Sequence, residues 1–245
     1  MTIAFAVIGG TGLTEIEGLE VIHREVVHTP YGEPSGPITH GMIAGKRVVF
    51  LARHGYASNI PPHRVNYRAN LWALKSLGVE KVVAVAAVGG ITPLMEPTRL
   101  VIPDQIVDYT YGRAHTFFED GLEHVTHIDF SWPYCVEVRD ALLNAAQCAG
   151  VNVVAHGTYA ATQGPRLETA AEIRRLERDG CDLVGMTAMP EASLARELGL
   201  CYATCAVVAN WAAGKCDEEI SMAEIHDNLT VGMAQARALL RGLVC

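Results

Sequence analysis

The chain has 245 residues, 50% of them hydrophobic, and carries a formal net charge of -8. That size and apolar content suit one large α/β domain over residues 1–245, with no Ser/Gly-rich or Pro-rich linker to divide it. The acidic balance argues against a broad nucleic-acid surface while leaving room for a local positive pocket, and no run approaches the roughly 18 apolar residues of a membrane-spanning helix. Cys135, Cys148, Cys181, Cys201, Cys205, Cys216 and Cys245 are scattered without a Cys-x-x-Cys pair. A disulfide framework or a zinc site is therefore not expected, and a reducing, cytoplasmic setting fits better. The N-terminal MTIAFAVIGG has no basic flank and reads as a first strand rather than a signal peptide.

Ile3 to Ile8 is a continuous apolar run closed by Gly9-Gly10, the pattern of a buried strand. A dinucleotide fingerprint would need a third glycine where Glu15 stands, so that reading is rejected. The glycine turn with Thr11 is either a plain tight turn or a wrap of backbone N–H groups round an anion. Val21 to Val27, Ile38 to Ile43 and Arg47 to Ala52 read as further strands, the last ending in Arg53-His54. An Arg-His pair at a strand end is either a solvated surface pair or a grip for phosphate, since Arg offers a planar fork of donors and His adds one more. Val65 to Leu77 has helical spacing and stops at Gly78, and Lys81 to Val88 is apolar enough for a central parallel strand.

Short strands are expected over Arg99 to Pro103 and Gln105 to Tyr109, then a long loop from Arg113 to Trp132. The loop holds His115, His124 and His127, but without ligand spacing or a completing Cys or carboxylate, so no metal is expected. A loop of that length suits a lid or a subunit contact. Glu137 to Ala149 reads as an amphipathic helix and Val151 to Ala155 as a strand. Between Gly157 and Glu191 the pattern is strand, glycine loop, helix, strand and a second helix start. Gly164-Pro165 turns the chain, Glu168 ends that loop, and Thr169 to Glu172 has capping-box spacing for a helix ending near Gly180. Thr187 is placed to cap the next helix, near Pro190. Leu200 to Ala209 is another buried strand, ending in Asn210, which is either a turn former or a buried amide that needs partners. Ser221 to Glu224 is a further capping-box pattern, opening a last helix through about Leu243.

Taken together, GGTGL (9–13), LARHG (51–55), VNYRANLWALK (65–75), AAVGG (86–90), GTYAATQGPRLET (157–169) and GMTAMPEA (185–192) resemble the trimeric purine nucleoside phosphorylases, most closely the methylthioadenosine phosphorylase branch. The resemblance spans nearly the whole chain. It implies an α/β domain with a mixed, barrel-like sheet flanked by helices, a homotrimer, and cleavage of an N-glycosidic bond by inorganic phosphate with no cofactor or metal. It further implies that Thr11, Arg53, His54 and Thr187 hold phosphate with the backbone N–H of Ala87, that Met186 packs under the ribose, and that His127 is donated to a neighbouring subunit's pocket.

The departures from that branch carry the substrate reading. Asn210 and Ala212 stand where the branch has two Asp, and Asn210 with Glu168 resembles the 6-oxopurine-specific enzymes. Glu168 would accept N1–H of hypoxanthine or guanine, and Asn210 would donate to N7. Met222 and Ile225 align with the apolar methylthio pocket, whereas His226 replaces an apolar residue and could reach a 5'-hydroxyl or cap the pocket. Ala86 replaces a phosphate-binding Thr. The expected substrate is 5'-methylthioinosine. The alternatives are inosine or guanosine phosphorolysis, methylthioadenosine phosphorolysis, and a non-catalytic purine-binding module.

Overall fold

Two long apolar strands form the spine of the molecule. In the computed structural model, which describes residues 3–13, 18–217 and 219–243, β5 (Lys81–Gly90) and β11 (Cys201–Trp211) run parallel from the Lys81–Cys201 pairing to the Gly90–Trp211 pairing. Both are apolar at nearly every position because both faces are covered, the condition under which strands lose their alternation. Glu15 lies outside the described residues. Around the spine stand β1 (Ile3–Gly9), β2 (Glu20–Glu25), β3 (Ile38–Ile43), β4 (Lys46–Ala52), β6 (Leu100–Val101), β7 (Gln105–Asp108), β8 (Val153–Val154), β9 (Thr158–Ala161) and β10 (Leu183–Gly185). The sheet is mixed, with the path β2-β3-β4-β1-β5-β10-β9-β7 and a branch at β5 through β11 to β6 and β8.

Among the described residues, five α-helices flank it: α1 (Tyr67–Ser76), α2 (Val136–Cys148), α3 (Ala170–Arg178), α4 (Ala188–Glu197) and α5 (Met222–Gly242). Leu71 and Leu74 of α1 pack with Leu194 and Ala195 of α4 and with Ile8, Val49 and Val88 on one side of the sheet. Leu142 of α2 packs with Met233, Leu239 and Leu240 of α5 and with Val7, Phe50 and Val85 on the other. Ile173 and Leu176 of α3 close a smaller cluster with Val184 and Ala212. As the sequence suggested, no helix or strand interrupts the stretch from residue 113 to 132.

Two of the three expected caps fail. At Thr169 the capping box is complete: Glu172 N–H donates to Thr169 Oγ1 (3.2 Å) and Thr169 N–H to Glu172 Oε2 (2.7 Å). Arg166 and the Thr169 N–H pull the exposed Glu172 carboxyl down to about 2. Ser221 sits at the N-cap of α5 but its side chain makes no capping bond. Thr187 is likewise the N-cap of α4 without capping it, because the chain kinks at Met189 (φ -116, ψ 138) and the first-turn N–H groups do not line up beneath the hydroxyl. The expectation of unpaired cysteines also fails: Cys135 and Cys201 form a disulfide, with Cα atoms 5.2 Å apart. The Cys135 N–H donates to the Tyr202 carbonyl (2.8 Å), so the fold lays the start of α2 against the start of β11. A contact across 66 residues leaves no mark in local spacing.

Candidate functional site

The parallel strands β1, β4, β5 and β11 all end at one edge of the sheet. Register sets Gly9 beside Ala52 and Val208 beside Val88, so the loops that start at Gly10 and Arg53 and the last residues of β5 and β11 converge. This is the edge at which open α/β sheets bind ligands. A cavity of about 640 Å³ opens there. Of the residues named from the sequence, Thr11, Arg53, His54, Ala87, Glu168, Met186, Thr187, Asn210, Met222 and Ile225 line it. His127 and His226 do not: both are exposed and outside the lining. His226 lies one residue past Ile225 on α5, about 100° round the helix from the residue that faces inward.

At the cavity floor, Arg53 is 1% exposed and Glu191 0%. Arg53 Nε and Nη2 donate to the two Glu191 oxygens (2.7 and 2.8 Å), Nη1 donates to the Val85 carbonyl (2.9 Å), and Tyr202 Oη donates to Glu191 Oε1 (2.8 Å). Burial opposes the charge on Arg53, but the Glu191 carboxylate more than offsets it and the guanidinium is held charged. One N–H on each terminal nitrogen remains beyond these bonds, since guanidinium carries five donors. Gly10 makes the approach possible: a Cβ there would lie 2.5 Å from the Val85 oxygen and 2.9 Å from Arg53 Nη1. His54 Nδ1 donates to the Ile60 carbonyl (2.8 Å), a bond that assigns the proton to Nδ1 and leaves Nε2 as the acceptor of a neutral ring. Burial, then the Arg53 charge, lower its pKa below the ordinary imidazole value.

At the opposite wall, Thr162 Oγ1 donates to Glu168 Oε1 (2.6 Å), fixing one carboxylate oxygen and leaving the other. Asn210 sits where β11 slips register after Val208; one of its amide hydrogens goes to the Trp211 carbonyl (2.7 Å). Asn228 of α5 donates to the Ala209 carbonyl (2.9 Å), tying the helix to that strand end. Gly164, at φ +60, passes under Met186, whose Sδ would be 2.3 Å from a Cβ. Ile220, Met222, Ile225 and Leu229 make the far end apolar.

Sequence reasoning missed three positioning groups. Glu191 belongs to the quoted GMTAMPEA motif but reads as an ordinary helix-start carboxylate. Thr162 lies in a strand-to-loop stretch without a pattern of its own. Arg113 opens the long loop and is buried, donating to the carbonyls of Thr162 (3.2 Å), Gln163 (2.9 Å), Met186 (2.8 Å) and Met189 (2.6 Å). It therefore ties together the loop after β9 and the loop after β10. A single buried arginine gives no periodic signal in sequence.

Comparison with known proteins agrees with this architecture. The model of the phosphorylase superfamily matches residues 4–244, and the chain belongs to that family. It is 57% identical to a probable S-methyl-5'-thioinosine phosphorylase of Pseudomonas syringae pv. tomato, over 96% of each chain. It is 49% identical to a 6-oxopurine nucleoside phosphorylase of Pyrococcus furiosus, over 90% of this chain and 84% of that one. Among solved structures, methylthioadenosine phosphorylase from Schistosoma mansoni in complex with adenine superposes with a TM-score of 0.95 at 32% identity, covering 99% of this chain and 91% of the other.

Proposed function

We propose that this chain, as one phosphorylase domain over residues 1–245, cleaves S-methyl-5'-thioinosine with inorganic phosphate, yielding hypoxanthine and 5-methylthioribose 1-phosphate. The observation that carries the reading is a single cavity with Glu168 and Asn210 on one wall and an end made of Ile220, Met222, Ile225 and Leu229. Glu168, with Oε1 already satisfied by Thr162, accepts a base N–H through Oε2. A 6-oxopurine carries that hydrogen on N1, whereas a 6-aminopurine presents a lone pair there and leaves two acceptors facing each other. Such mismatches at buried polar groups discriminate strongly. The free amide hydrogen of Asn210 goes to N7, where negative charge develops as the glycosidic bond breaks.

Phosphate sits among Thr11, Arg53, His54, Thr187 and the Ala87 N–H. Arg53 supplies fixed positive charge. Neutral His54 accepts through Nε2 the hydroxyl hydrogen of HPO4(2-), leaving the anionic oxygens to the other donors. Held this close, the dianion stabilises the oxocarbenium-like sugar and then bonds to C1', while the purine leaves with the bonding electrons and ends with the proton that HPO4(2-) gives up on becoming the sugar phosphate dianion. Ala86 offers no hydroxyl, so the backbone amide carries that share of the cradle. Met186 packs under the ribose. With His226 turned away from the cavity, the 5' end lacks that imidazole and favours methylthio over hydroxyl.

No organic cofactor or metal takes part. We assign the enzyme as a homotrimer, a reading supported by the exposed apolar Val125, Trp132 and Val136 on and beside the loop that carries His127; the cytoplasmic assignment rests on the composition of the sequence, and the Cys135–Cys201 disulfide speaks against it. The test is phosphate-dependent purine release from S-methyl-5'-thioinosine, S-methyl-5'-thioadenosine and inosine at equal concentrations. Preference for the first supports both ends of the cavity, preference for inosine moves His226 into a hydroxyl-binding role, and preference for the adenine nucleoside overturns the Glu168–Asn210 assignment. Absence of turnover with every substrate would leave a purine-binding module.

A further inference from the structure

On the far edge of the sheet, away from the cavity, β2 pairs antiparallel with β3 so that His23 lies directly opposite His40. Glu25, two residues along β2, is on the same face. One donor atom from each of the three side chains falls within 4.8 Å of the others. His40 is 3% exposed, yet neither of its ring nitrogens has a hydrogen-bond partner of acceptable geometry. Its Nε2 is 3.0 Å from Glu25 Oε2, which in turn is 3.9 Å from His23 Nε2. A buried imidazole in that condition is rare unless something absent from the protein chain completes it.

We propose that His23, Glu25 and His40 form a binding site for a divalent transition-metal ion of the zinc type, which pins the edge strand β2 to β3. Donors bound at 2.0–2.1 Å to a tetrahedral ion are separated by about 3.3 Å, and the separations of 3.0 and 3.9 Å bracket that value. Two imidazoles and one carboxylate are a ligand set zinc accepts, with the fourth position left to water. The two rings are stacked with centroids 4.4 Å apart and planes 7° from parallel, so an ion in the plane of His40 requires His23 to turn. The His23 side chain is half exposed and free to do so. Arg47 of the next strand acts electrostatically on His40 and works against a cation; the Glu25 carboxylate offsets it. None of the three ligands lines the cavity, so the ion has a structural task, closing a sheet edge whose strand is exposed along nearly its whole length.

Calorimetric titration of chelator-treated protein with Zn2+ tests the assignment, using wild type, His23→Ala and Glu25→Gln. His23 is exposed and Glu25 is half-buried at the sheet edge, so these variants fold even if His40→Ala does not. The expected result is one equivalent per chain that is lost, or weakened at least tenfold, in His23→Ala, with a smaller loss in Glu25→Gln. A rise in melting temperature with Zn2+ should appear in wild type and not in His23→Ala. Zinc held by the exposed Cys148 and Cys216 would persist in all three proteins and cancels in the comparison. No binding to wild type, or equal stoichiometry and affinity in all three, would overturn the site.

Discussion

The floor and the rim of the cavity are built by opposite means. The floor rests on Arg53 and Glu191, joined by two hydrogen bonds with scarcely any surface in water; Arg53 follows the end of β4, which cannot shift without breaking ladder register, and Glu191 sits in the first turns of α4. The rim is made of Met222, which is 72% exposed, and Leu167, also exposed. The difference follows the chemistry. Anion charge must be met by groups already fixed before phosphate arrives, since donors that reorganise during the reaction lose their advantage. An apolar 5' group needs only surface that closes over it.

Substitutions at the two ends should therefore separate stability from specificity. The largest effect belongs to Glu191→Ala, which strands a buried guanidinium. We expect a loss of about 3–5 kcal/mol in denaturant unfolding, with phosphate-dependent turnover lost at the same time. Arg113→Ala comes next, because four carbonyls, three in the two loops and that of Met189 at the start of α4, lose their donor. We expect about 1–3 kcal/mol together with a fall in kcat larger than the rise in KM, read by steady-state kinetics. Asn210→Asp should leave folding unchanged and shift the 6-oxo to 6-amino preference by about tenfold or more; an unchanged ratio would remove Asn210 from the base site. Met222→Ala is the smallest in stability, within about 0.5 kcal/mol. Its KM for the methylthio substrate should rise severalfold while that for inosine stays nearly constant, and equal effects on the two would break the contrast between floor and rim.

The floor also has its own pH signature. The His54 pKa is lowered in the folded protein, so as pH falls through about 6.5 the unfolded chain takes up the proton first. Its contribution to stability is complete above that pH, declines as pH falls towards the lowered folded-state value, and levels off below it. In the folded protein Nε2 takes up its proton only at the lower end of that range, around the lowered folded-state pKa, and this removes the acceptor for the phosphate hydroxyl. Melting temperature against pH for wild type and His54→Gln should converge below about pH 6; parallel curves would assign the acid loss to other groups.

The strands that converge on the cavity were legible because burial on both faces writes itself as an apolar run: Lys81 to Val88 and Leu200 to Ala209 coincide closely with β5 and β11. The Thr169 capping box was legible because both partners are local. The same four-residue pattern at Ser221 did not form its bond, and Thr187 heads a helix whose first turn is kinked, so a capping motif predicts position better than it predicts the hydrogen bond. Most cavity-lining residues sit in glycine-marked loops after strands and could be named. Glu191, Arg113 and Thr162 could not, because they act through partners 138, 76 and 6 residues away, at spacings unrelated to any periodicity. His226 was named because it stands where the resembled branch has an apolar residue; it is exposed and outside the cavity lining, since neighbouring helix positions point about 100° apart.

The disulfide has a topological consequence. Closure at Cys135 and Cys201 makes a covalent ring that contains α2, α3 and α4, and with them Glu168, Met186 and Thr187. Thr11, Arg53, His54, Ala87, Asn210 and Met222 lie on the two tails outside it. The pocket is thus assembled from a cyclic segment and the two strings tied to it. A protease cut anywhere in that segment would open the ring without releasing a fragment, whereas a cut in either tail would shed a piece of the pocket outright once the fold loosens.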